Sequence, residues 1–202
     1  KNIAGVFSIA LLAHSFLTLL LGSAERFILE GYSSINEEPL AAFLYLATIV
    51  SAFQSLGLSI GEWLRPQIFE KMARGEPISG LYKSAITMLF VIFTVFLIAG
   101  WPVLKFISAE KMEYFTFLPY FLGLALSQLL LVLTFFIDLQ IVYRKKYILL
   151  FAASFLAVAG KSFGYYIWDG FNELPGVVFA NILGASVFFV SMAFFVYVSN
   201  SR

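Results

Sequence analysis

The sequence lacks cysteine altogether and has a single histidine, His14, among its 202 residues. The absence of cysteine excludes disulfides and thiolate metal sites, and one histidine cannot form a histidine-based metal cluster. Charged residues make up only 12% of the chain, and the net charge of +1 gives no basis for nucleic-acid binding. No zinc motif, P-loop or catalytic triad is present, so we predict a protein that is not an enzyme and uses no cofactor.

Apolar residues are abundant, at 61% of the chain, and the mean hydropathy is +0.91. A soluble domain of this length could not bury so much apolar surface, which indicates a membrane protein. Six stretches are long enough to cross a bilayer, and they are continuously apolar rather than alternating, which favours helices over a barrel. The predicted spans are Ile3–Ser23, Pro39–Leu64, Gly80–Gly100, Phe115–Tyr143, Tyr147–Trp168 and Leu174–Ser199.

The distribution of Lys and Arg predicts the direction of these spans. If the N-terminus lies in the cytoplasm, nine of the 13 basic residues fall on the cytoplasmic side and four on the opposite side. The cytoplasmic set is Lys1, Arg65, Lys71, Arg74, Lys83, Arg144, Lys145, Lys146 and Arg202. We therefore predict an all-α membrane protein, a bundle of six transmembrane helices with both termini in the cytoplasm.

Polar residues recur at helical spacing on five of the six spans, which predicts a shared polar interior. The interior is either a packed, hydrogen-bonded core or a hydrated cavity, and serine and threonine alone favour the first. The third span carries only Thr87 and Thr94 in its interior, so we place it outermost in the bundle. On the second span, Gly57 and Gly61 form a small-xxx-small pair that lets another helix approach closely.

Three ionisable residues inside the spans each have a simpler and a functional interpretation. Lys161 either extends its amine to the outer interface or presents a cation to an anionic substrate in a cavity. His14 is either a neutral ring with one hydrogen bond or a contact for substrate or a proton. Asp138 either pairs with the basic loop 144–146 or takes part in ion coupling. The substrate-binding candidates are Arg26, His14, Lys161, Gln128, Asn181 and Ser55, and the ion-coupling candidates are Asp138 and His14.

Several short segments together resemble the second half of a polysaccharide or O-antigen flippase of the MOP exporter superfamily. Glu25-Arg26 lies at the outer end of a helix and leads into Phe27-Ile28-Leu29, and a polar-striped helix ends at Trp63-Leu64-Arg65-Pro66. A hairpin then joins two helices through residues 143–147, and Leu174-Pro175-Gly176 opens the last span.

The resemblance implies a two-lobe transporter of which this chain is the C-terminal six-helix lobe, an expectation that also fits its first residue, Lys1. Its partner would be an N-terminal lobe or a second copy. The substrate would be a glycan linked to a polyprenyl pyrophosphate, moved across the inner membrane of a bacterium by alternating access. Arg26, His14 and Lys161 could supply positive potential for its pyrophosphate headgroup.

Three alternatives stay open at this point. A multidrug-extrusion exporter coupled to a cation would be expected to hold an acidic residue deep in the lobe. A membrane scaffold without transport activity would use the polar stripes as dry packing surfaces. A membrane-embedded transferase would require a histidine or paired-acid constellation, which the sequence does not offer.

Overall fold

Six α-helices make up the computed structural model, which describes residues 3–32, 35, 37–108, 114–169 and 172–200. Helix α1 spans Ile3–Tyr32, α2 Glu37–Ala73, α3 Ser79–Ser108, α4 Tyr114–Tyr143, α5 Tyr147–Ile167 and α6 Leu174–Asn200. No strand occurs in these ranges. Continuous helix satisfies the backbone N–H and C=O groups within each segment, as an apolar surrounding requires.

Five of the helices contain stretches that are long and apolar enough to cross a membrane. These stretches are Phe43–Ala73, Ser79–Gly100, Pro119–Tyr143, Tyr147–Ile167 and Leu174–Val198. Within the described residues, α1 contributes the shorter apolar stretch Ile9–Gly22. The length and composition of the five helices indicate a multi-pass membrane protein.

The first three helices extend further than the predicted spans, and α3 continues from Gly100 to Ser108. The first predicted span ends at Ser23, but α1 continues to Tyr32. Likewise α2 continues beyond Leu64, through Pro66, to Ala73. Polar and charged residues mark where an apolar span ends, yet they remain compatible with helix, and proline at position 66 removes only one backbone donor.

The six helices form two groups of three. Helices α1, α5 and α6 pack together, as do α2, α3 and α4, and the groups meet mainly along α4 and α6. On α1 and α5, His14 contacts Ser154, and the carbonyl of Leu21 contacts Lys161. The two residues of each pair are 140 positions apart in the sequence, so the contacts advance in the same direction along both helices. Helices α1 and α5 therefore run parallel and stay in contact over about two turns.

Small residues allow close helix contacts in both groups. The missing Cβ atoms of Gly57 and Gly61 on α2 would clash with Val132 and Phe135 on α4, which confirms the predicted approach of another helix. Between α5 and α6, a Cβ on Gly164 would lie 2.8 Å from the Cα of Ala180.

Helix α3 lies at the outside of the bundle, as the sequence predicts. It packs on α2 and α4 only along one face, through Ala85 and Leu89. Large apolar side chains cover the opposite face and are exposed, including Met88, Val91, Val95 and Ile98.

Replacing Gly164 by alanine should destabilise the bundle by about 1–3 kcal/mol, because the added methyl meets the α6 backbone rather than a movable side chain. The free energy of unfolding in mixed detergent micelles, titrated with SDS, measures the effect. Gly80→Ala is the matched control, since a Cβ on Gly80 meets nothing within 4 Å. Equal stabilities of the two variants would contradict the close α5–α6 contact.

Candidate functional site

A buried polar cluster joins α1, α4 and α5 around His14. The ring Nδ1 lies 2.5 Å from the Ser154 hydroxyl oxygen on α5, and Nε2 lies 3.4 Å from Oδ2 of Asp138 on α4. Both ionisable side chains are largely buried, with 9% of the His14 side chain and 13% of the Asp138 side chain exposed. The two residues predicted to take part in ion coupling therefore lie in contact.

The position of Asp138 gives its carboxylate a partner that neither sequence interpretation named. We expected that its carboxylate could pair with the basic loop 144–146, which lies about two turns away along the chain. The structure shows an ion pair between Asp138 and His14. Oδ1 of the same carboxylate is buried and has no hydrogen-bond partner among the described residues.

Lys161 is also buried, and its amine turns into the bundle. The residue is 5% exposed, and Nζ donates a hydrogen bond of 2.6 Å to the carbonyl oxygen of Leu21 on α1. The amine is therefore held at the carbonyl of a neighbouring helix, a contact that neither sequence interpretation named. The bond from Lys161 to Leu21 is a second polar link between α1 and α5, and it spans 140 residues of sequence, as the His14–Ser154 contact does.

The amide side chains of α4 and α6 are buried apart from the His14 cluster. Asn181 donates a hydrogen bond of 3.0 Å to the carbonyl of Val177 in its own helix, an arrangement that needs no ligand. Gln128 is 8% exposed, and its Oε1 has no hydrogen-bond partner among the described residues. Gln128 lies ten residues before Asp138, or about 15 Å along α4, so the two do not share a site.

Ser55 belongs to a separate feature, an exposed line of hydroxyl groups on α2 that we call the hydroxyl stripe. Each hydroxyl donates a hydrogen bond of 2.7–3.1 Å to a carbonyl three or four residues earlier in the helix. The stripe comprises Thr48, Ser51, Ser55 and Ser59. Glu62 follows on the same helix and pairs with Arg65 at 2.7 Å. Of the predicted candidates, His14 and Asp138 thus share the buried cluster, Lys161, Gln128 and Asn181 are buried elsewhere, and Ser55 lies on an exposed helix face.

Three further side chains are one predicted candidate, Arg26, and two residues that the sequence did not indicate as site residues, Tyr82 and Ser154. The side chain of Arg26 lies outside the described part of the chain. Tyr82, which the sequence analysis did not single out, donates a hydrogen bond of 2.6 Å to the carbonyl of Phe136 and so links α3 to α4. Ser154 was also missed as a site residue, although its seven-residue spacing from Lys161 was a usable signal.

No group of three or more histidine or acidic residues suited to a metal occurs in the part of the chain that the structure describes. The arrangement can instead hold or transfer a proton at His14 and Asp138, and it can offer hydroxyl groups on α2.

The burial of Lys161 predicts slow chemical modification. In detergent micelles, a water-soluble amine-reactive reagent should modify Lys161 at least about ten times more slowly than Lys145, because it reaches Lys161 only when α1 and α5 separate. Mass spectrometry of proteolytic fragments gives both rates in one sample, with the exposed Lys145 as the internal control. Equal rates would show that Lys161 faces water.

Comparison of the chain with protein-family models, curated proteins and solved structures finds no significant match. The functional argument therefore depends on the residues and on the geometry described above.

Proposed function

We propose that this chain is one lobe of an exporter that moves a lipid-linked oligosaccharide from the cytoplasmic to the outer leaflet of a bacterial inner membrane. The observation that carries the proposal is the hydroxyl stripe on α2, an exposed line of hydroxyl groups within a stretch that is apolar enough to cross a membrane. The proposal also draws on the sequence resemblance to polysaccharide flippases.

The hydroxyl stripe has the chemistry of a surface that sugars can contact. The hydroxyls of Ser51, Ser55 and Ser59 already donate their protons to their own helix, so their oxygens can accept a hydrogen bond from outside. An exposed polar face gains nothing from contact with acyl chains, whereas water and glycan hydroxyls are suitable partners. Ser55 lies at the centre of this face and is the residue that we expect a glycan to approach.

A single lobe presents this face on one side only, so alternating access requires a facing partner. We expect that partner to be an N-terminal six-helix lobe or a second copy, with rocking of the two lobes around the enclosed glycan. Because the Lys161 amine is engaged with the Leu21 carbonyl, Arg26 becomes the main candidate for contact with a pyrophosphate headgroup.

A cation-coupled multidrug exporter is the second candidate, and the contact between Asp138 and His14 favours it. In this contact the acidic side chain of Asp138 lies inside the lobe, next to the ionisable ring of His14. An acidic residue inside the lobe is the feature expected of a cation-coupled exporter. The hydroxyl stripe does not discriminate strongly between a glycan and a polar drug.

Deletion of the gene in its host distinguishes these functions. An oligosaccharide exporter predicts loss of surface polysaccharide with accumulation of the lipid-linked precursor, restored by a plasmid copy. Normal surface polysaccharide with raised sensitivity to cationic drugs would overturn this function in favour of the second candidate. Normal behaviour in both assays would overturn both and support a scaffold.

The hydroxyl stripe should be hydrated in the membrane-embedded protein. Because the chain has no cysteine, Ser55→Cys introduces a single thiol, which a membrane-impermeant maleimide should modify at least about ten times faster than the thiol of Thr94→Cys. Thr94 on α3 is a matched control, since it is exposed and its hydroxyl also donates to its own helix, to Phe90.

Both positions lie about 15 Å along their helices from a predicted cytoplasmic basic residue, Arg65 or Lys83, so depth alone does not separate them. Equal protection of both thiols from reagent on either side of the membrane would mean that the α2 face contacts lipid or protein, and the proposed pathway would be wrong.

A further inference from the structure

The hydrogen bonds around His14 can be completed in two ways that differ by one proton. Ser154 has one hydroxyl proton and two neighbouring acceptors, the Leu150 carbonyl at 2.9 Å and Nδ1 of His14 at 2.5 Å. Asp138 faces the other ring nitrogen at 3.4 Å. The direction of the Ser154 hydroxyl therefore determines which protonation state of His14 fits.

In the first arrangement the Ser154 hydroxyl donates to Nδ1, so the ring is neutral and carries its proton on Nε2, directed at ionised Asp138. In the second arrangement the hydroxyl turns to the Leu150 carbonyl, and Nδ1 must carry a proton that it donates to the Ser154 oxygen. With Nε2 still protonated towards Asp138, the ring is then an imidazolium.

We propose that His14, Asp138 and Ser154 form a binding site for one proton, in which uptake from water places the proton on Nδ1 while the Ser154 hydroxyl turns from Nδ1 to the Leu150 carbonyl. Before uptake the His14–Asp138 pair carries a net charge of −1, and afterwards it carries none. Burial of an uncompensated charge among apolar helices is costly, which favours the proton-bound state. This inference is independent of the proposed function, because it concerns proton binding and not the transported molecule.

The neighbouring helices determine whether a charged group other than His14 could neutralise the Asp138 carboxylate. From α6 the nearest group is the ring of Phe188, whose centroid lies 6.3 Å from that of His14 and which carries no charge. From α5, Lys161 lies two turns beyond Ser154, or about 10 Å along the helix, with its amine on Leu21. From α3, the Tyr82 hydroxyl lies within electrostatic reach of Asp138 but donates to the carbonyl of Phe136.

The other charged groups near this region lie on α2 and in the loop after α4. Glu62 and Arg65 on α2 pair with each other, and Arg65 lies over the ring of Phe135. The basic loop 144–146 follows Asp138 by six to eight residues and is exposed. The ion pair described for Asp138 is the one with His14, so a proton taken up by His14 neutralises the charge of this pair.

Nitrogen NMR on the wild-type protein tests the proposal directly, because His14 is the chain's only histidine. With [15N]histidine incorporated and the protein in lipid nanodiscs, the two ring nitrogens report both protonation and tautomer. We expect an imidazolium at acidic pH and, after deprotonation, a neutral ring with its proton on Nε2. A neutral ring that carries its proton on Nδ1, or a ring that remains neutral down to pH 5, would overturn the proposal.

Asp138→Asn provides the comparison, with Asp169→Asn as its control. Loss of the facing carboxylate should lower the ratio of imidazolium to neutral imidazole at a fixed pH by about ten-fold or more, because an opposite charge at this distance favours the charged ring. Asp169 is exposed and its carboxylate accepts a hydrogen bond from Asn172, so its replacement should leave the ratio unchanged. Equal ratios in wild type and Asp138→Asn would contradict the shared site. If Asp138→Asn fails to fold, the wild-type tautomer alone decides the question.

Discussion

Polar groups inside an apolar bundle must find their partners within the protein, and this constraint organises the structure around a small number of contacts. Backbone groups meet it through helix formation. Side-chain hydroxyls meet it mostly by donating to carbonyls of their own helix, as Thr18 and Thr134 do. The ionisable side chains cannot be satisfied so locally, and they reach across to other helices. His14 reaches both α4 and α5, and Lys161 reaches α1.

These long-range contacts tie α1 to the rest of its group. Helix α1 packs mainly on α5, and the two polar links between them are seven residues apart on each helix. The His14–Asp138 contact adds a connection to α4, which belongs to the other group of three helices. A change in protonation at His14 therefore acts at a point where both groups meet. In the proposed exporter, such a point would be suited to couple proton binding to movement of the lobe.

Local patterns in the sequence predicted the helices, while the contacts between them required the three-dimensional arrangement. Continuous apolar runs identified the helices, and the scarcity of polar residues in α3 placed it outermost, as found. The ends of α1 and α2 were predicted too early, because hydropathy reports where a span stops and not where a helix stops.

The partner of each buried polar group was harder to predict than its position on a helix face. Periodicity placed His14 and Asp138 on polar stripes, but it contains no information about which stripes meet across 124 residues of chain. For Lys161 the sequence offered surface extension or a cavity, and the structure provides a carbonyl of a neighbouring helix as a third solution. The common spacing of 140 residues could be recognised only after one of the two α1–α5 contacts was known.

The most direct test of this account is a double-mutant cycle on the free energy of unfolding with His14→Gln, Asp138→Asn and the double variant. If the two side chains contact each other as described, the effects should be non-additive, with a coupling of about 0.5 kcal/mol or more. Strict additivity of the two substitutions, in a protein that still folds, would mean that α1 and α4 do not meet through these residues, and the buried cluster would not exist.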